Sequence, residues 1–488
     1  MEKHNNEGRD AAWRSALRDA MPAKERTAIE RVVMPHLDPE YRIGCNEEVN
    51  CGLTPEQAVR EATRCLDCPT PTCVEGCPVN IAIPDFIKNI QRGDNAEAYR
   101  ILRRTSALPA VCGRVCPQER QCESRCIYNM MKKAPVAIGY LERFAADTAR
   151  ENAPREQAPV AEPTGRRVAV VGSGPAGLSF AGDMAARGYR VDVFEALHEI
   201  GGVLKYGIPE FRLPNSVVDF ELDGMRAAGV KFHTDTVVGK TLSYDDLLDM
   251  GFEGVFVASG AGLPRFMNIP GENLVGVMSS NEYLTRINLM GAGRAGSDTP
   301  VMRGRRVAVI GGGNTAMDSV RTARRMGAEK AFIVYRRSEA EMPARAEEVL
   351  HAKEEGVEFM TLANPVEYLG DERGAVRAMR VQRMELGEPD ASGRRSPVPV
   401  EGAIDEIEVD LVIVSVGVSP NPLIPNSIEG LEVTPRGTLA VDGNLRSSLP
   451  LLYAGGDIIR GGATVILAMG DGRHAAAAMA EMLENRGK

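Results

Sequence analysis

"RRVAVVGSGPAGLSFAGDMAARGYRVDVFE", residues 166–195, is where the fold declares itself. The β-branched run RRVAVV reads as a buried strand over 166–171, and YRVDVF (189–194) is the next strand, ending at Glu195. Between them Gly172, Gly174 and Gly177 lead into a helix that runs to about Arg187. In a dinucleotide-binding loop the first glycine permits the tight turn. The second lets the backbone approach a pyrophosphate, and the third lets the helix pack on the strand. Pro175 and Ala176 open that helix, whose free N–H groups and dipole favour an anion. Glu195 stands where a carboxylate accepts hydrogen bonds from a ribose 2′-OH. A chance glycine-rich turn would not be followed by helix, strand and acid in that order.

The unit recurs. RRVAVI (305–310) leads into Gly311, Gly312, Gly313, Asn314, Thr315 and Ala316, a helix to about Met326, and the strand KAFIVY (330–335). Here Arg336 and Arg337 stand in place of the acid. Arginine pairs bidentately with a 2′-phosphate that a carboxylate repels, so this second site is expected to prefer NADP over NAD. Arg345 is a further candidate for the phosphate. The plain alternative is a solvated surface pair of arginines.

The acid-ended first site suits either FAD or NAD. Two features favour FAD. GGVLKYGIPEFRLP (201–214), with Gly202, Leu204 and Arg212, follows the Rossmann acid as if lining a flat ring system. YAGGD (453–457) then brings Gly456 and Asp457 to a strand end, where a carboxylate can bond a ribityl chain. A helix opening near Ala463, Thr464 and Val465 would aim its positive end at the isoalloxazine. EVDLVIVSVG (408–417) and PLLYAGGD (450–457) read as later buried strands, and residues 462–484 as a closing helix.

All ten cysteines lie within residues 45–126. Cysteines used for packing would be scattered, so the clustering implies a metal. Cys65, Cys68, Cys73 and Cys77-Pro78 are answered by Cys112, Cys116-Pro117, Cys122 and Cys126. CxxC pairs also make zinc knuckles. Iron–sulfur is favoured because there are too many thiols for one zinc and two of them precede proline, as in ferredoxin-like runs. A redox flavoprotein also needs an outlet for single electrons.

Around this field the chain reads as helical: TPEQAVREATRCL (54–66) with Thr54 as N-cap and Pro55 at the first position, two helices over 83–105 broken near Gly93, and a third over 136–151. ENAPREQAPVAEPTG (151–165) is a proline-rich linker. Net charge −9, aromatic content of 5% and a single Trp argue against nucleic-acid binding. No run approaches a membrane span and the N-terminus MEKHNNEGRDAAWRS lacks a signal-peptide core, so a cytoplasmic protein is expected.

The segments CLDCPTPTCVEGCPVNIAIPDFI, LPAVCGRVCPQERQCESRC, VGSGPAGL, GGVLKYGIPEFRLP, GGGNTAMD, YRRSEAEMPARAEEV and AGGD together resemble the glutamate synthase small (β) subunit family. The same module is similar to the large subunit of NADH-dependent ferredoxin:NADP oxidoreductase and the N-terminal half of dihydropyrimidine dehydrogenase. The resemblance implies an α/β protein with two nested Rossmann-type domains. FAD would bind 166–295 with 420–488, and NADP(H) would bind 296–419. A helical domain (1–150) carrying two [4Fe–4S] clusters would precede them. One cluster would take Cys65, Cys68, Cys73 and Cys126; the other would take Cys77, Cys116 and Cys122 with Glu142 as a non-cysteine ligand. Cys112 would be packed in a loop, and Cys45 and Cys51 would be ordinary residues. No catalytic acid or base is implied, since hydride passes between cofactors. The chain begins MEKH and has no cysteine before Cys45, so any ammonia chemistry would belong to a partner or use free ammonium. Implied partners are a large subunit, a small flavoprotein, ferredoxin or a second copy. The rival implied activity is that of an electron-bifurcating transhydrogenase subunit.

Overall fold

The computed structural model describes residues 6–152, 161–391 and 393–486. Its helical N-terminal region begins as its capping chemistry dictates. Thr54 Oγ1 accepts from the Gln57 N–H, the Gln57 side chain accepts from the Thr54 N–H, and Pro55 fills a position whose N–H has no intrahelical partner. The helices Ile83–Gln91 and Asn95–Arg103 are separated at Gly93, whose φ of +83° suits glycine. Helix Ile138–Asn152 closes the region. Of the expected linker, residues 153–160 lie outside the described residues. Beyond them Ala161 N–H and Thr164 N–H donate to Ala186 and Gly188, pinning the chain to the end of the first Rossmann helix.

Two five-stranded parallel sheets follow. The first has the spatial order Leu452–Ala454, Gly254–Val257, Arg167–Val171, Arg190–Phe194, Lys231–His233. The second runs Val277–Ser279, Leu411–Val414, Arg306–Ile310, Lys330–Tyr335, Glu358–Thr361. The chain leaves the first sheet after Gly254–Val257 and returns at Leu452–Ala454, so the second is nested inside the first. The strand Val277–Ser279 belongs to the second sheet, upstream of residue 296 where the NADP domain was expected to start. Its partner Leu411–Val414 draws it in through parallel pairing.

An antiparallel meander of Ala363–Gly370, Val376–Pro389 and Arg395–Glu408 is absent from the sequence reading. Phe86, Leu102 and Leu141 of the helical region share one continuous apolar core with Val168 and Phe180 of the first Rossmann unit and Met479 of the closing helix Val465–Asn485. The helical region is therefore packed on the first sheet as a single body. Among the described residues no helix is long and apolar enough to cross a membrane.

Candidate functional site

At the first loop Gly172 has φ +100° and an added Cβ would lie 2.5 Å from the Ala258 carbonyl oxygen. At Gly177 an added Cβ would lie 2.0 Å from the Gly172 oxygen, whereas at Gly174 it would meet nothing within 4 Å. Two glycines are thus required by the protein itself, and the middle one leaves open the space a pyrophosphate needs. Glu195 is buried: Oε2 accepts from the Ser173 N–H (2.9 Å) and Oγ–H (2.5 Å), and Oε1 accepts from the Leu197 N–H (2.9 Å). A carboxylate offers about four lone-pair sites, so the acid braces the loop with three and could accept one further hydrogen bond.

Ser173, which sequence reasoning passed over, also accepts from the Gly201 N–H at 2.9 Å. Gly202 (φ +55°) comes so close that an added Cβ would sit 2.9 Å from Gly174 Cα. Leu204 is core. Tyr206 is a further residue missed earlier. Burial pushes its phenol up to about 12, and the charges of Asp457 and Glu195 add to that.

Asp457 follows Gly456, whose φ is +78°. Its Oδ1 accepts from the Ala463 N–H at 3.1 Å. Burial pushes this carboxyl up to about 6; the Ala463 N–H opposes the shift and the charge of Asp471 adds to it. Thr464 Oγ1 caps the closing helix by accepting from the Leu467 N–H at 3.3 Å, one residue before Val465 begins the helix. That helix lies directly on the first Rossmann helix, since a Cβ at Gly472 would come within 2.2 Å of the Ala176 oxygen.

At the second loop Gly311 has φ +140° and an added Cβ would lie 2.3 Å from the Ser415 oxygen. At Gly313 the nearest atom to an added Cβ is Pro343 Cγ at 3.9 Å. Ala316 is buried, Thr315 is exposed, and Asn314 Oδ1 accepts from the Arg345 N–H at 2.9 Å. Arg336 is exposed at the end of its strand. Arg337 is buried and held by the tip of the meander: Nη2 donates to Asp390 Oδ2 (2.6 Å) and Nε to the Arg395 carbonyl (2.8 Å).

Two arginines sit elsewhere than expected. Arg212 Nη1 donates to both oxygens of Asp318 (3.1 and 2.9 Å), so it bridges the two Rossmann units instead of facing a ring. The Arg345 guanidinium is buried and donates to the Arg114 carbonyl and to Gln118 Oε1. In both cases a buried acceptor from a distant part of the chain claims the cation.

The cysteines fall into two groups. Cys68 and Cys73 both lie within the electrostatic reach of Cys65 and Cys126, and burial pushes the Cys68 thiol up to about 11. Cys77, Cys116, Cys122 and Glu142 line a common cavity with Gln118, Gln121 and Ile466. Glu142 Oε1 is buried and has no hydrogen-bond partner. Burial pushes its carboxyl up to about 8, with the charge of Glu221 adding. Three thiols and an orphaned carboxylate oxygen around one cavity form a donor set that fits a metal cluster, because a buried unpaired acceptor needs an electropositive partner. Among the described residues no three His, Cys, Asp or Glu side chains are grouped for a single metal ion. Cys112 lies in the helix Pro109–Val115, not a loop, with its Sγ 3.5 Å from Met469 Sδ.

Residues 42–154 match the family described as dihydropyrimidine dehydrogenase domain II, 4Fe-4S cluster, and residues 166–480 match pyridine nucleotide-disulphide oxidoreductase. The glutamate synthase [NADPH] small chain of Azospirillum brasilense is 38% identical over 436 residues, covering 88% of this chain and 90% of that one. The chain belongs to the glutamate synthase small-chain family. Its Escherichia coli (strain K12) relative of the same name is 38% identical over 438 residues, 88% of this chain and 92% of the other. The family also reaches the NADP(+)-dependent formate dehydrogenase subunit beta of Moorella thermoacetica, 38% identical over 439 residues and spanning 85% of this chain and 60% of that subunit. Mycobacterium tuberculosis FprA in complex with NADPH shares the fold, with a TM-score of 0.57 and 22% identity over 67% of this chain and 86% of that one. The protein is thus an oxidoreductase with a 4Fe–4S domain before a flavin- and nicotinamide-dinucleotide-binding fold.

Proposed function

We propose that this chain oxidises NADPH and delivers the electrons toward reductive formation of glutamate from 2-oxoglutarate, as the small-subunit component of a glutamate-synthase-type enzyme. The reading is carried by one juxtaposition. Ile466, in the first turn of the helix expected to point at a flavin, lines the cavity of Cys77, Cys116, Cys122 and Glu142. Gln121 of that cavity also donates to Thr464 Oγ1, at 3.5 Å. The start of the closing helix and the thiol cavity therefore share a wall, which supports electron passage from a flavin at that helix to a cluster in that cavity.

Gly172, Gly174 and Gly177 with Glu195 would hold the dinucleotide of FAD, and Gly456, Asp457 and the N–H groups after Thr464 would hold its ribityl and ring end. Gly311, Gly313 and Asn314 would hold NADP(H), with Arg336 on the 2′-phosphate and Arg337 behind it. Cys65, Cys68, Cys73 and Cys126 would hold one [4Fe–4S] cluster, and Cys77, Cys116, Cys122 and Glu142 the other. When bound, the flavin supplies hydride chemistry and the clusters supply one-electron carriage. The chain's own residues bind, orient and shield; none needs to act as acid or base.

The test is anaerobic reduction of the reconstituted protein by NADPH and by NADH, followed by acceptors offered in turn: 2-oxoglutarate with glutamine or ammonium and a large subunit, ferredoxin, and NAD. Flavin bleaching by NADPH, with turnover toward glutamate, is expected. Turnover only with ferredoxin and NAD would transfer the protein to the bifurcating reading, and no bleaching by NADPH would end both.

A further inference from the structure

Arg345 directs its guanidinium hydrogen bonds to Arg114, Gln118 and Glu347, and these anchor it firmly. It is 4% exposed and stands at the N-cap of helix Ala346–Glu354. Nη1 donates to the Arg114 carbonyl, and Nη2 donates to Gln118 Oε1 and Glu347 Oε2, each at 3.1 Å; Nε has no acceptor. Arg114 and Gln118 lie two residues either side of Cys116, so the guanidinium clasps the Cys116 turn from both flanks. Gln118 in turn lines the Cys77–Cys116–Cys122–Glu142 cavity. It is wedged there, since a Cβ at Gly139 would fall 2.2 Å from its Nε2.

The backbone of the same residue faces the other way. Arg345 N–H donates to Asn314 Oδ1 of the second glycine loop, and Ala344 N–H donates to the Gly312 carbonyl at 3.1 Å. Arg120, just past Cys116-Pro117, donates to the Met342 and Pro343 carbonyls at 2.6 and 2.9 Å. Residues 342–346 thus form a strap between the nucleotide loop and the cysteine turn. The charged and titratable groups within electrostatic reach of the guanidinium include Glu347, Glu348, Glu119, Tyr140, Glu123 and Cys116. Among the described residues Glu347 alone forms an ion pair with it.

We propose that Arg345 is a positioning residue for the cysteine cavity, whose buried positive charge raises the reduction potential of the cluster held there and whose backbone ties that cluster to the nucleotide loop. A fixed cation at low dielectric stabilises the more negative, reduced form of a nearby centre, and net charge and hydrogen bonding are recognised levers on cluster potential. The inference rests on the iron–sulfur reading above.

The test is EPR-monitored redox titration, with chemical reductant and mediators, of anaerobically reconstituted wild type, Arg345→Gln and Arg345→Lys, each with and without NADP+. In Arg345→Gln the midpoint of one cluster is expected to move downward and the other to stay in place. Arg345→Lys should recover most of the shift. NADP+ should move the same cluster in wild type and move it less in Arg345→Gln, where only the Arg120 and backbone contacts of the strap remain. Should Arg345→Gln lose iron, Gln118→Leu carries the test: it keeps the charge but removes its acceptor at the cavity wall, and a smaller downward shift is expected. Two unmoved midpoints overturn the inference, as does an equal shift in the lysine and glutamine variants. Absence of any cluster signal from wild type would overturn the functional reading, and this inference with it.

Discussion

In the first sheet the residue after the second strand is Glu195, buried and bonded to Ser173 of its own glycine loop. In the second sheet that place belongs to Arg336, exposed, with Arg337 behind it clasped to Asp390 on the meander tip. The strands and glycines before these residues are nearly the same. One scaffold thus carries opposite charges at the same strand end. The supports differ as well. The first loop is backed by the closing helix through Gly472, and the second by the strap 342–346 through Ala344 and Arg345. The comparison teaches that two nearly identical glycine loops can differ in the charge at the strand end and in the element that backs them, and on the proposed reading those differences select the nucleotide.

The largest effects should come from breaking the shared part. Gly177→Ala puts a methyl 2.0 Å from the Gly172 oxygen, and Gly311→Ala puts one 2.3 Å from the Ser415 oxygen at φ +140°. Each should cost about 3 kcal/mol or more of stability in chemical denaturation. Gly174→Ala meets nothing within 4 Å and should leave stability unchanged while abolishing flavin retention. Equal losses for all three would remove the distinction between loop geometry and ligand space.

Next is the charge difference. Arg336→Ala should lower kcat/KM for NADPH by about 10–100-fold and leave NADH unaffected, the worth of one charged hydrogen-bonding group. Steady-state flavin reduction with both nucleotides measures it, and an equal fall for NADH would mean that Arg336 does not read the phosphate.

The smallest effect sharpens the contrast between two aspartates, buried Asp318 and half-buried Asp457, both pushed up to about 6. Asp318 has Arg212 to answer it; among the described residues Asp457 has the Ala463 N–H alone. Because Asp457 binds its proton more tightly when folded than unfolded, its charge costs stability above pH 6. That cost is relieved as pH falls through 6 toward 4. Flavin-free Asp457→Asn should therefore be more stable than wild type at pH 7, by about 2 kcal/mol, and equal to it near pH 4. Thermal unfolding across that range checks the sign.

Local signals were legible. The strands and glycines of both Rossmann units, the Thr54-Pro55 start and the break at Gly93 all depend on neighbours within a few residues. The meander was not legible, because Val376–Pro389 buries the adjacent pair Ala378 and Met379, which interrupts its alternation, and Arg395–Glu408 is largely exposed and charged. Arg212 and Arg345 looked like cofactor arginines by type and position. Their acceptors, Asp318 and Gln118, come from far along the chain, and no window of sequence shows them. Glu142 was named through resemblance alone; its orphaned oxygen beside three thiols is a structural observation.

The central claim is that electrons from NADPH reach the cysteine field through the first dinucleotide site. It is tested most directly by anaerobic titration of reconstituted protein with NADPH, following flavin absorbance and the EPR spectrum together. Bleached flavin accompanied by signals of reduced [4Fe–4S] clusters, with NADH much less effective, is the expected result. Flavin that bleaches while every cluster stays oxidised, in protein whose clusters dithionite does reduce, would contradict it.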